Sequence, residues 1–218
     1  MKKYRGIIFD LDGTLLNTIY DLADSVNTVL AHYGFLPHDE EAYKLKVGNG
    51  FRNLVEVSLP EEKREDTALV DEALQLFVKT YDQKYKDKTV PYNGIPELIE
   101  QLCSRGISLA VNSNKRTDYT NALVDKFFSH VPFTAVYGER EGIPKKPDPA
   151  SALEITDMMG LKPEEILYIG DSKTDMMTGI NAGMDTVGVT WGFRGREELE
   201  ANGGTYIIDC PEEILEII

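Results

Sequence analysis

Three apolar residues, Ile7, Ile8 and Phe9, run without a break into Asp10, and Asp12 follows two positions on. A short continuous apolar run suits a strand buried on both faces, the kind found inside a parallel sheet. Gly13 then gives the backbone freedom for a sharp exit. Two carboxylates at the mouth of such a strand repel each other. At ~4 Å and an effective dielectric near 20 the cost is about 4 kcal/mol. A chain bears that cost where a cation or a reaction needs the negative charge. An ordinary acidic turn after a strand asks nothing of the rest of the chain, so the other strand ends decide between the two readings.

Beyond Thr14 the pattern turns helical and stays so for some 70 residues. Leu22, Val26, Val29, Leu30 and Tyr33 share one helical face, and Gly34 stops it. Thr18 and Asp21 have the spacing of a capping pair at its start. A second helix opens at Asp39 and ends near Gly48-Asn49-Gly50; Phe51, Leu54 and Val55 continue the spacing, and a longer helix carries Val70, Ala73, Phe77 and Tyr81 inward. Pro91 to Pro96 is rich in turn residues and leads back to strands that alternate with helices. Strands are predicted at 107–111, 133–137, 166–169, 186–189 and 206–208, with a helix beginning at Asn114. Alternating strands and helices imply a parallel sheet with right-handed crossovers. The expected fold is α/β: a doubly wound parallel, Rossmann-like core from 1–15 and 91–218, with an inserted all-helical cap at 16–90.

With 218 residues, 42% of them hydrophobic, the chain can bury a sizeable core. Its net charge of −14 argues against a nucleic-acid or anionic-membrane partner, either of which wants a basic face. Lys2 and Lys3 precede an apolar run too short for a secretion signal, and nothing approaches a membrane span. Cys103 and Cys210 lack metal-type spacing and read as reduced thiols of a cytoplasmic protein.

Four polar groups stand at or just beyond strand ends: Asp10 with Asp12, Ser113 with Asn114, Lys146, and Asp171 with Asp175. In a doubly wound sheet these ends share one rim, where ligands bind. Asp10, Asp171 and Asp175 offer oxygen ligands to a small hard cation such as Mg²⁺. Asp171 and Asp175 are equally suited to a helix start, where the dipole favours acids. Ser113 can hold a phosphoryl oxygen or cap a helix. Lys146, stiffened by Pro147, can neutralise a transferring phosphate; Lys145 has the same composition-based claim.

In this order the motifs Asp10-Leu11-Asp12-Gly13-Thr14, Ser113-Asn114-Lys115, Lys146-Pro147-Asp148-Pro149 and Gly170-Asp171-Ser172-Lys173-Thr174-Asp175 resemble those of the haloacid dehalogenase superfamily of phosphohydrolases. The likeness spans nearly the whole chain, and Val47-Gly48-Asn49-Gly50 with Arg52 is similar to the cap segment of its phosphoglycolate phosphatase group. The Lys next to Pro147 best matches the superfamily's lysine. Asn17-Thr18 departs from the more usual Asp-Ser pair. The resemblance implies a Mg²⁺-dependent phosphatase acting on a small phosphorylated metabolite such as 2-phosphoglycolate. Asp10 would be nucleophile and Asp12 general acid and base. Asp10, the Asp12 carbonyl, Asp171 and Asp175 would serve the metal, and Ser113 and Lys146 the phosphoryl group. Thr14, Gly48, Asn49, Arg52 and Asn114 would contact substrate. The cap would close over the site, hinged near 15–18 and 90–94. A β-phosphoglucomutase-like transferase, a pyrophosphatase or a nucleotidase shares the core motifs. A phospho-accepting receiver module is the non-enzymatic alternative, with a similar acidic pocket on a parallel sheet.

Overall fold

The structure is a computed structural model that describes residues 4–218; Lys2 and Lys3 lie outside the described residues. In chain order the elements are β1 (Gly6–Phe9), β2 (Leu16–Asn17), α1 (Ile19–His32), α2 (Glu40–Lys44), α3 (Phe51–Ser58), α4 (Thr67–Lys84), β3 (Val90–Pro91) and α5 (Ile95–Ser104). There follow β4 (Ser108–Arg116), α6 (Thr117–Phe128), β5 (Ala135–Glu139), α7 (Ala150–Met159), β6 (Ile166–Gly170), α8 (Lys173–Asn181), β7 (Asp185–Val189), α9 (Arg196–Ala201), β8 (Tyr206–Ile208) and α10 (Ile214–Ile217). The chain divides into two compact units, residues 1–16 with 91–218, and residues 17–90.

The larger unit is a six-stranded sheet of order β5-β4-β1-β6-β7-β8, parallel throughout. Every residue of β1 and β6 is buried, as their unbroken apolar runs require. Successive strands step outward from β1 to β4 and β5, then cross back to β6 on the other side of β1 and continue to β7 and β8. The direction of winding therefore reverses around β1, and sheets of this kind bind ligands beyond the carboxyl ends of the strands at such a reversal. Register fixes what stands there: Phe9 pairs with Val111 on one side and Ile169 on the other. The Asp10 N–H extends the second ladder by one bond, 2.8 Å to the Ile169 carbonyl. Asp10, Asn112 and Gly170 are thus level, and Ser113 and Asp171 come next.

Helices α6 and α7 pack on β4 and β5, α8 on β6 and β7, and α9 on β7 and β8. Ala152 and Ile155 of α7 close a core with Ile8, Ala110, Ala135, Ile166, Tyr168, Ala182 and Met184. Each large apolar side chain fully buried there contributes about 2 kcal/mol.

The smaller unit is four-helical. Phe51 meets Phe77 and Tyr81 edge to face, with ring centroids 5.0 and 5.3 Å apart. Asp39 caps α2 through Ala42 N at 2.8 Å, and Asp66 caps α4 through Leu69 N at 3.1 Å. Thr18 and Asp21 do not form the expected capping pair. Thr18 makes no side-chain cap bond, and Asp21, one turn in and buried, accepts from Lys88 N, Thr89 N and Thr89 Oγ1 at 2.7–3.1 Å. Tertiary donors take this carboxylate away from its own helix end. At the crossings between the units, β2 and β3 form a two-stranded ribbon that the helical periodicity on either side concealed.

Two further expectations are corrected. Strand β4 does not stop at Val111 but runs to Arg116, so no helix starts at Asn114. The cause is a bulge: between Asn112 and Arg116, β4 advances four residues while β5 advances two, from Tyr137 to Glu139. The displaced backbone lies against Gly138, where a Cβ would come within 2.5 Å of the Lys115 carbonyl and 2.6 Å of Thr117 Cα. Only glycine fits there. Helix α9 gives no periodic signal in the sequence, since four of its six residues are charged and only Leu199 is buried.

Candidate active site

At the rim, β1 delivers Asp10, β6 delivers Asp171, and the first turn of α8 delivers Asp175. One carboxylate oxygen from each lies within 4.8 Å of the others, and all three residues are buried. Asp175 also serves its helix. It accepts from Ser172 N at 3.1 Å and Ser172 Oγ at 2.6 Å, closing a capping box. Asp175 thus starts its helix and stands beside Asp10 and Asp171 at the same time.

Lys146 enters the same space. Its Nζ lies 2.8 Å from Asp10 Oδ1 and 2.7 Å from Asp175 Oδ1. Asn114 holds its backbone, accepting from Lys146 N at 2.9 Å and donating to Lys146 O at 3.2 Å. Lys145, its neighbour, turns outward to Glu139 at 2.8 Å. That division separates two lysines that composition left equal.

One ammonium does not balance three buried carboxylates. Burial pushes the Asp10 carboxyl up to about 7; Lys146 opposes this, while Asp175 and Asp12 add to it. Asp171 is raised well above the usual carboxylate range, first by burial and then by Asp175 and Asp10. Burial also works against the Lys146 charge, but Asp10 and Asp175 more than offset it and hold the ammonium well above the ordinary lysine value. An excess of negative charge in an all-oxygen donor set fits a hard divalent cation.

The loop after β7 orients Asp171. Phe193 N–H donates to Asp171 Oδ2 at 2.6 Å, and Trp191 Nε1 donates to the Thr14 carbonyl at 3.1 Å. A Cβ at Gly192 would lie 2.3 Å from Asp171 Cβ and 2.4 Å from the Gly13 carbonyl. Trp191, Gly192 and Phe193 escaped the sequence reading, because Gly and aromatics after a strand give no signal beyond a turn.

Ser113 is buried at the bulge of β4, and its Oγ accepts from Lys115 N at 3.2 Å, which leaves its own proton to donate. Asp12, which the loop after β1 carries, is bound by Lys115: Nζ is 3.1 Å from both carboxylate oxygens. Nothing in the Ser113-Asn114-Lys115 motif marks Lys115 for this contact. Thr14 is fully buried, with its Oγ1 unpartnered among the described residues. Gly48, Asn49 and Arg52 belong to the smaller unit, where Gly48 and Asn49 are exposed and Arg52 pairs with Asp71. No helix among the described residues is long and apolar enough to cross a membrane.

Comparison with known proteins bears on this geometry. Residues 7–189 match the model of the haloacid dehalogenase-like hydrolase family. The phosphoglycolate phosphatase of Psychrobacter arcticus is 33% identical over 208 residues, covering 93% of this chain and 90% of that protein. The phosphoglycolate phosphatase of Pseudomonas putida is 33% identical over 214 residues, covering 97% and 78%. The crystal structure of a candidate phosphoglycolate phosphatase from Lactobacillus delbrueckii subsp. bulgaricus superposes with a TM-score of 0.90 at 32% identity, covering 99% of each chain. These relatives set aside the receiver-module alternative. The matched segment carries Asp10, Lys146, Asp171 and Asp175, and this chain is accordingly a phosphatase belonging to the haloacid dehalogenase-like hydrolases.

Proposed function

We propose that this chain hydrolyses a small phosphate monoester, 2-phosphoglycolate or a close analogue, in a Mg²⁺-dependent reaction through a phosphorylated Asp10. The convergence of Asp10, Asp171 and Asp175 with Lys146 carries the reading. Asp10, the Asp12 carbonyl and Asp171 would hold the cation. Both Asp175 oxygens already accept hydrogen bonds, which suits a residue that orients a bound water or Lys146. When bound, the cation neutralises charge on the phosphoryl oxygens and on the cluster itself.

The protein's own groups do the rest. Asp10 attacks phosphorus while Lys146 and the Ser113 hydroxyl hold the phosphoryl oxygens. Lys146 thereby meets a polyanionic substrate that a chain of net charge −14 would otherwise repel. Asp12 protonates the leaving oxygen and then takes a proton from the water that frees Asp10. The smaller unit acts as a cap that opens for substrate and excludes water during the first step, with Gly48, Asn49 and Arg52 as its substrate contacts. The names of the relatives support the substrate assignment.

A phosphate-release screen tests this, run over small phosphorylated acids, sugars, nucleotides and pyrophosphate, each with Mg²⁺ and with chelator. The expected outcome is strongest release from 2-phosphoglycolate, abolished by chelator. Strongest release from a nucleotide or pyrophosphate, or an isomerised sugar phosphate without release, would overturn the substrate assignment.

A further inference from the structure

We infer that Lys115 is a positioning residue for Asp12. It anchors the carboxyl that shuttles the proton and meets the negative charge left on it when the proton departs. The inference rests on the acid and base role proposed for Asp12.

The geometry divides the site's two buried lysines between its aspartates. Lys146 serves Asp10 and Asp175, while Lys115 binds both oxygens of Asp12 at 3.1 Å. The Lys115 side chain has no exposed surface and that of Asp12 has 13%. Burying an ammonium so completely costs several kcal/mol unless a partner offsets it, and an apolar residue would fill the space more cheaply. The fold also goes to some length to bring it there. Lys115 reaches Asp12 because β4 bulges after Asn112, because Gly138 leaves room for the Lys115 carbonyl, and because Ser113 Oγ fixes the Lys115 N–H.

The chemistry then balances as follows. An Asp10 oxygen bonds to phosphorus as the ester P–O bond breaks, and the leaving oxygen takes that electron pair together with the Asp12 proton. One Asp12 oxygen carries the proton while the other accepts from Lys115, so the carboxyl cannot swing away. Once the proton has gone, Lys115 donates to the carboxylate that remains, across the same 3.1 Å contacts. In the second step water bonds to phosphorus and returns a proton to Asp12, and Asp10 recovers the electron pair of its P–O bond. Preorganised charge facing a group that becomes anionic favours the transition state.

Leaving groups differ in their need for that proton. An alkoxide needs it, and 4-nitrophenolate leaves without it. The test is single-turnover kinetics of Lys115→Met and Lys115→Arg, with 2-phosphoglycolate and with 4-nitrophenyl phosphate, at one pH and saturating Mg²⁺. Lys115→Met should slow the first step about 100-fold for the alkyl ester and less than about 10-fold for the aryl ester. Lys115→Arg should restore the alkyl-to-aryl ratio to within about 5-fold of the parent. In an Asp12→Asn background, adding Lys115→Met should cost the alkyl ester no more than about 2-fold further. Equal losses on both esters would overturn the inference, pointing to a phosphoryl contact or a structural role, as would no loss on either. If Lys115→Met does not fold, the ratio in Lys115→Gln decides by the same criterion. Should the parent enzyme treat both esters alike when Asp12 is replaced, it is the proposed role of Asp12 that fails.

Discussion

A buried carboxylate beside two others is an expensive group, and Asp10 shows the expense in both stability and chemistry. Its carboxyl is pushed up to about 7, against an ordinary value of 3.8. The folded state therefore holds this proton more tightly than the unfolded chain does. That contribution to stability is complete below about pH 4 and is lost as pH rises to about 7, beyond which it stays lost. Urea unfolding in chelator should show Asp10→Asn gaining on the parent across that window. The gain should reach roughly 2 kcal/mol at pH 8, less than an isolated shift of this size implies, because Lys146 loses a partner. The same substitution should lower kcat by at least about 10⁴-fold, measured as phosphate release. Of these residues, Asp10 and Asp171 stand out in the sequence because acids at the ends of apolar runs are costly, and Asp12 and Asp175 by their spacing from those two. Lys115 does not, because its burial depends on a bulge that no periodicity encodes.

At the scale of elements, one loop shapes the rim of the sheet and one carboxylate ties the helical unit together. After β7, Gly192 lets the chain press against Asp171 so that Phe193 N–H can hold its Oδ2. Gly192→Ala should displace that carboxylate and weaken Mg²⁺ binding about 10- to 100-fold, read by calorimetry without substrate. In the helical unit, Asp21 ties α1 to the segment before β3 through two backbone N–H groups and a hydroxyl. Asp21→Ala should orphan these donors and cost about 3 kcal/mol, measured by chemical unfolding. The strands were legible because runs such as Ile7 to Phe9 and Ile166 to Ile169 suit only a buried parallel sheet. The end of β4 was not, because Asn112 to Arg116 is polar and imitates a loop leading into a helix. Asp21 was misread for a related reason: spacing reports a local cap, whereas its donors come from residues 67 and 68 positions away.

Across the whole molecule, one sheet with its winding reversed around β1 gathers residues from both ends of the chain at one rim. Strand order cannot be read from a sequence, yet it is what makes Asp10 and Asp171 neighbours. The direct test is to quench the enzyme in acid during Mg²⁺-supported turnover of its fastest ester and to weigh its peptides. The account predicts the mass of one phosphoryl group on the peptide containing Asp10, appearing and decaying with turnover. Steady phosphate release with that peptide unmodified at every quench time, or the phosphoryl group on another residue, would contradict it.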